Sequence, residues 1–317
     1  MSILFFMVQQ TMLFSIPLLV VGLGAMFSER SGVWNISLEG TMIIGGFCGI
    51  LFMNTMQDSM SGQPLLLCCI GISMLSGTLY SVALSVAAIH LKADQTITGT
   101  ALNMFAPAFA IYAARVYRGV QQIPFQNTFR IEKVPIWGDI PIIGPMLFQN
   151  AYITTYIGIG IMIASSIVLY KTKYGLRVRA CGEHPQAVDS VGINVYLIRY
   201  SGVLISGALA GLGGLIFIVP NSTEFRASVA GYGFLAMAVL IFGQWTPKGI
   251  LRASFLFGFM KTISSAYGAI TVLVALQIPT YYYKITPYVV TLIVLAFTSR
   301  TSQAPVASGI PYDKGAR

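Results

Sequence analysis

Nine long apolar runs, almost free of charge, alternate with short polar segments along the chain: 8–27, 36–53, 64–89, 96–114, 152–170, 200–219, 232–245, 253–276 and 287–298. A helix needs about 20 apolar residues to cross roughly 30 Å of hydrocarbon. In that solvent every backbone polar group must be satisfied within the protein, which makes helices the expected form of such runs. The pattern therefore predicts an all-α, polytopic membrane protein with about nine transmembrane helices, eight to ten once uncertain ends are allowed for, in a single transmembrane domain over 1–317. Two runs, 232–245 and 287–298, are short for a full crossing and read as broken or re-entrant helices shielded by protein. The first run has no basic segment ahead of it and no small-residue cleavage site before Glu29 and Arg30, so it reads as a retained span.

Composition agrees. Of 317 residues, 56% are hydrophobic and 9% charged, with a mean hydropathy of +0.75. A soluble domain carries about 25% charged residues. Four cysteines are too few for a disulfide scaffold. The abundance of Ile, Leu, Val and Phe excludes disorder. The net charge of +9 does not point to nucleic acid, because the basic residues fall in short loops and form no stripe interleaved with aromatics.

Those loops set the orientation. Twelve Lys and Arg lie in 171–199, in the tail 299–317, near Pro247, and at Arg30 and Lys92. The alternate loops hold six: Arg115, Arg118, Arg130, Lys133, Arg226 and Lys284, with Lys261 inside a span. The excess places 171–199 and the C-terminal tail in the cytoplasm. Nine full crossings then put the N-terminus outside, and one re-entrant segment puts it inside. The long outer connection 115–150, with Pro124, Pro135, Pro141, Pro145 and Trp137, reads as a folded cap; it either covers helix ends or receives a partner.

Candidate chemistry is sparse. Cys48, Cys68 and Cys69 sit in or beside apolar runs, and Cys181 lacks a partner at metal-ligand spacing, so no metal site is expected. His90 and His184 have no nucleophile or metal partner and read as surface residues. Polar groups inside spans are the default markers of a solute path, since a charge at the bilayer centre costs about 2.5–3.5 kcal/mol or more. Asn35 and Glu39 are four apart and share a face if that stretch is helical. They read either as path residues or as a hydrogen-bonded pair stabilising a broken helix start. Gln95, Thr96, Thr98 and Asn103 form a second polar set, in which Thr96 and Asn103 share a face. Phe105, Phe234 or Trp245 could supply an aromatic wall, although packing is the commoner use of such rings. Gly45, Gly46 and Gly49, Gly158 and Gly160, and Gly207, Gly211, Gly213 and Gly214 make small-residue faces for close helix approach, more within the chain than as a dimer seam.

The cytoplasmic segment 171–199 is the most informative. Pro185 suits a first helical position, Glu183 places negative charge near a helix N-terminus, and Gly192 can adopt the left-handed conformation that ends a helix. The result is a helix of about two turns over 185–191, with Ala187, Val188 and Val191 apolar and Gln186, Asp189 and Ser190 polar. A helix so short is unstable alone and needs a surface, either the chain's own membrane boundary or a partner.

Five segments in order resemble the permease subunits of bacterial ABC importers, in the simple-sugar and nucleoside branch of the ribose and branched-chain amino-acid permease family. They are GLRVRACGEHPQAVDSVGIN (175–194), FSERSGVWNISLEG (27–40), HLKADQTITGTALN (90–103), GYGFLAMAVLIFGQWTP (231–247) and the tail GIPYDKGAR (309–317). Cys181 stands where Val, Ser or Ala is expected. The resemblance implies a multi-pass protein of the bacterial cytoplasmic membrane, a single permease domain forming one half of a translocation path for nucleosides, with simple sugars or riboflavin as alternatives. It implies three protein partners: an ATP-binding subunit, a second, non-identical permease, and an extracytoplasmic substrate-binding protein or lipoprotein. The 185–191 helix would be the coupling helix, with Glu183, His184, Pro185, Gln186, Asp189 and Gly192 meeting the ATPase. Asn35, Glu39, Thr96, Asn103 and Phe234 are the candidates for the substrate path. This sequence has no phosphate-binding loop of the Gly-x-x-x-x-Gly-Lys-Ser/Thr kind. ATP and Mg would therefore belong to the partner, with no cofactor and no catalysis in this chain. A stand-alone ion-coupled carrier is the competing class, and only Glu39 and Lys261 approach the buried charge it needs. An intramembrane enzyme lacks its constellation.

Overall fold

In a computed structural model of the protein, the structure describes residues 2–135, 137–141, 144–266 and 303–315, with single positions between 279 and 292. Among the described residues, ten α-helices and four short strands follow one another. They are α1 (Ser2–Arg30), α2 (Leu38–Met56), α3 (Gln63–Ser85), α4 (Gln95–Arg118), β1 (Ile123–Pro124), β2 (Arg130–Lys133), β3 (Gln149–Tyr152) and α5 (Ile153–Lys171), then α6 (Lys173–Glu183), α7 (Pro185–Ser190), α8 (Val195–Asn221), β4 (Glu224–Phe225), α9 (Tyr232–Phe242) and α10 (Pro247–Ala266).

Six of the nine expected spans are helices long and apolar enough to cross a membrane: α1, α2, α3 with its π-helical extension Val86–His90, α4, α5 and α8. The run 232–245 forms α9, whose 11 residues are too few to cross alone. The run 253–276 begins within α10 and continues outside the described residues, and most of 287–298 lies outside them too. Among the described residues the count is thus six spans, not nine.

Local chemistry sets several ends. Asp94 caps α4, its Oδ1 accepting from Thr96 N at 2.8 Å and Ile97 N at 2.9 Å, and Gly119 at φ +71° closes the helix. Thr172 caps α6 and Asn194 caps α8 through the amides of Gly175 and Leu197.

α8 is the axis of the bundle. Its apolar window is 78% buried, against 22% for α4. In lipid the hydrophobic effect gives helices little reason to associate, so close packing must do so, and small residues permit it. Gly211 of α8 lies against Gly45 of α2 and Gly77 of α3; a Cβ on any of the three would overlap backbone of a neighbour. These faces therefore pack within the chain. Gly158 packs on Ile16 of α1, whereas a methyl on Gly160 would meet nothing within 4 Å, so that residue takes no part in the seam.

The connection between α4 and α5 is folded into a cap. β1 pairs antiparallel with β4, and β2 with β3. Asn127 Nδ2 donates to Val219 O at 2.6 Å and Gln9 Nε2 to Pro145 O at 2.6 Å, tying the cap to α8 and α1.

Candidate functional site

Between α1 and α2 the chain is irregular over 31–37, yet Val33, Asn35 and Ser37 are buried. Non-helical backbone at that place survives only if its polar groups find partners in the protein. Side chains supply them. Ser28 Oγ donates to Val33 O at 2.8 Å, and Trp34 N donates to Gln95 Oε1 at 2.7 Å. Asn103 of α4 binds on both sides of the α2 start, donating to Ile36 O at 2.8 Å and accepting from Gly40 N at 2.7 Å. Asn35 precedes α2, so it does not share a helix face with Glu39. Its Oδ1 accepts from Ser37 N and Ser37 Oγ, and its Nδ2 donates to Ser206 Oγ of α8 at 2.9 Å.

Glu39 serves a second irregular stretch. Its Oε1 accepts from Gly231 N at 2.9 Å and its Oε2 from Gly233 N at 2.7 Å, placing the carboxylate at the N-terminus of α9. Asn35, Glu39 and Asn103 thus come together around the α2 start, held in hydrogen bonds that are mostly to backbone. Thr96 does not join them: it lies on the exposed side of α4, with Phe105 at 55% and Phe109 at 40% exposure and their rings stacked 5.6 Å apart. Phe234 is 52% exposed on α9. Trp245 is no aromatic wall for a solute. It is buried, and its indole Nε1 donates to Glu29 Oε2 at 2.6 Å.

In the 171–199 segment, α7 forms where Pro185 and Gly192 predicted it, with Val191 at its end and Gly192 at φ +80°. Pro185 and Val188 are buried, while Gln186, Ala187 and Ser190 are at least partly exposed. An open groove of 510 Å³ runs between α6 and α7, lined chiefly by Leu176, Ala180, Ala187, Val188, Val191 and Ile193, with Glu183 and His184 at its edge. Glu183 does not face the α7 amides. Its carboxylate turns to Arg30 at 3.7 Å and accepts from Val306 N at 3.5 Å. Asp189 faces Lys314 at 3.9 Å.

Sequence reasoning counted Arg30 and Arg199 only as loop charges and used Glu29 only to mark the end of the first apolar run. Arg30 donates to Trp245 O at 3.2 and 3.3 Å, so α1 grips the α9–α10 turn through two consecutive residues. Arg199 is 1% exposed and lies beside Cys181. Burial pushes the Cys181 thiol above its usual value, and the guanidinium pulls it part of the way back. An arginine one turn past the Asn194 cap, on the face that enters the bundle, was the available signal for Arg199.

Residues 7–295 match the family described as branched-chain amino acid transport system / permease component. The chain is 39% identical to the guanosine ABC transporter permease protein NupQ of Bacillus subtilis, covering 100% of this chain and 99% of that protein. It is 38% identical to the nucleoside ABC transporter permease protein NupC of Lactococcus lactis, covering 97% and 96%. A second Lactococcus lactis protein, the nucleoside ABC transporter permease protein NupB, is 26% identical over 78% of this chain and 69% of its own length. No solved structure matches the chain. A match over most of the length, together with full-length relatives well above 30% identity, means that the chain belongs to the branched-chain amino acid transport system permease family.

Proposed function

We propose that this chain is one permease subunit of an ATP-driven nucleoside importer in the bacterial cytoplasmic membrane. The observation that carries the substrate class is its full-length similarity to two permeases named for guanosine and nucleosides. It works with a separate ATP-binding subunit, which holds ATP and Mg, and with an extracytoplasmic substrate-binding protein. The second permease is a different chain; the presence of both NupC and the more distant NupB in Lactococcus lactis supports that pairing.

α7 is the coupling helix. Its outer edge, with Gln186, Ala187 and Val191, meets the ATPase beside the apolar groove, and its inner edge, Pro185 and Val188, passes a push into the chain. The exposed side of α4 faces the second permease and the path. A helix facing lipid should be more apolar the less it is buried. α4 departs from this: it is 22% buried at hydropathy 1.3, whereas α5 is 28% buried at 1.8. Thr96 and Thr100 offer hydroxyls there, and Phe105, Phe109 and Phe234 offer faces for a nucleobase. Asn35, Glu39 and Asn103 hold the backbone that frames this side.

The test is uptake of labelled guanosine by cells lacking their own nucleoside importers and given this chain with its partner subunits. Uptake should be displaced by unlabelled nucleosides, not by glucose or riboflavin, and should vanish when the ATPase gene is deleted. Uptake that survives that deletion, and collapses on dissipating the proton or sodium gradient at constant ATP, would overturn the reading in favour of an ion-coupled carrier.

A further inference from the structure

The segment 303–315 contains no helix, yet it is fastened to the cytoplasmic ends of several elements at once. Gln303 N donates to Gln244 Oε1 at 2.9 Å, in the α9–α10 turn. Ala307 N donates to Gly182 O at 2.8 Å, at the α6–α7 elbow, and Gly309 N to Gly32 O at 3.3 Å, past the end of α1. Arg199 Nη1 of α8 donates to Ile310 O at 2.9 Å, and Tyr312 lies 5.9 Å from that guanidinium and 5.5 Å from the Tyr196 ring. Val306 N donates to Glu183 Oε2 at 3.5 Å, and two ion pairs, Lys92–Asp313 at 3.2 Å and Asp189–Lys314 at 3.9 Å, add to these.

These contacts differ in weight. Exposed ion pairs contribute little, because water screens both charges. The strong anchor is the buried one. Arg199 is 1% exposed, and a buried guanidinium is tolerated only where carbonyls and rings replace its water. Ile310 O and the Tyr312 ring supply part of that replacement, so tail and Arg199 hold each other in place. Between the tail and the start of α7 lies a cavity of 210 Å³, so α7 is tethered there without being close-packed. The α9–α10 turn reached by Gln303 is itself strained, with Gln244 and Trp245 both left-handed at φ +50° and +51°.

We propose that the tail is a tie joining the α6–α7 elbow to α1, α8 and the α9–α10 turn, so that movement imposed on α7 reaches the spans, and that Arg199 is the positioning residue of this tie. The inference rests on α7 being the element that meets the ATPase.

The test uses the complete importer, with both permeases, the ATPase and the binding protein, reconstituted in liposomes, and reads nucleoside moved per ATP hydrolysed. Removal of 303–317 should leave a complex that hydrolyses ATP but moves about tenfold less solute per ATP, the scale of a typical coupling free energy between sites. Tyr312→Ala should lower the same ratio, and Arg199→Lys should retain more of it than Arg199→Met, at unchanged subunit content. An unchanged ratio in the truncated complex overturns the proposal; where the truncated chain does not assemble, an unchanged ratio in both Tyr312→Ala and Arg199→Met does so. Ala187→Arg, on the outer edge of α7, separates the two ideas. It should reduce ATPase association; if it does not, the coupling role of α7 fails, whereas normal transport by tail variants alongside a defective Ala187→Arg sinks only the tie.

Discussion

Gly77 and Gly71 lie six residues apart on α3, and the structure gives an alanine at the two positions opposite effects. At Gly77 an added methyl would overlap Gly207 O and sit 2.8 Å from Gly211 Cα, where ordinary contact begins near 3.4 Å. Even the second contact demands that α3 and α8 part by about 0.6 Å, and the first demands more. A gap of 0.5–1 Å forfeits about a quarter to a half of each dispersion well, over atom pairs worth about 0.1–0.2 kcal/mol apiece. With some tens of pairs along the seam, the loss is about 3 kcal/mol, at the upper end of the usual overpacking cost. The hydrophobic effect does not offset it, because lipid is as apolar as the seam. At Gly71 nothing lies within 4 Å, so alanine meets no obstacle and gains helix propensity of about 0.5–1 kcal/mol. The assay is the thermal midpoint of the purified chain in detergent. Gly71→Ala should match or exceed the parent, and Gly77→Ala should fall several degrees below it. Equal midpoints for the two variants would refute the three-helix seam.

Two further substitutions probe the polar contacts. Glu39→Gln keeps one acceptor for the amides of Gly231 and Gly233, and Glu39→Ala keeps none; each buried N–H left unpaired costs about 1–3 kcal/mol. Thermal stability and uptake should therefore fall in the order Glu, Gln, Ala, and an alanine variant as stable as the glutamine one would show that the carboxylate does not hold α9. Cys181, buried with its thiol pKa raised above the ordinary 9.0, should resist maleimide at about pH 7.5 by at least about tenfold relative to the unfolded chain. The same shift makes the folded chain bind the proton more tightly than the unfolded one. Its stabilising contribution is complete below the ordinary thiol value and is lost as pH rises through the folded value, so replacing Cys181 with Ser should flatten stability against pH on the alkaline side only.

Hydropathy reports which solvent a segment meets, and on that question the chain was legible: the six full-length spans and the short α9 all lie within the apolar runs or overlap them. α7 was legible for a different reason. Pro185 and Gly192 act on their own backbone, so their effect needs no tertiary partner. Pairing across the fold was not legible. Asn35 and Glu39 look like one helical face because the apolar run begins at Ile36, but the helix begins at Leu38, and the residues before it spend their polar groups on Ser37, Ser206, Gln95 and Asn103. Trp245 looked like a ring for a solute because nothing local announces that Glu29, more than two hundred residues earlier, accepts its indole proton. The Asn194 cap was local and the burial of Arg199 was not, since part of what replaces its water, Ile310 O and the Tyr312 ring, comes from the tail.

The distribution of polar work also bears on where selectivity can reside. A carboxylate already shared between Gly231 N and Gly233 N, and an amide already bridging Ile36 O and Gly40 N, have little left to offer a passing nucleoside. Breaking those bonds to bind solute would release the irregular backbone of 31–37 and 226–231, leaving buried amides unpaired at about 1–3 kcal/mol each. In the proposed importer, recognition therefore falls to groups that hold no other segment in place: the hydroxyl and ring side of α4, where Thr100 Oγ1 donates only to Thr96 O of its own helix at 2.8 Å, and the exposed ring of Phe234. Asn35, Glu39 and Asn103 then act one step away, by fixing the broken helices against which those groups stand. Substitution on the exposed side of α4 should accordingly change which nucleosides compete for uptake, while substitution at Asn103 should lower uptake of all of them alike.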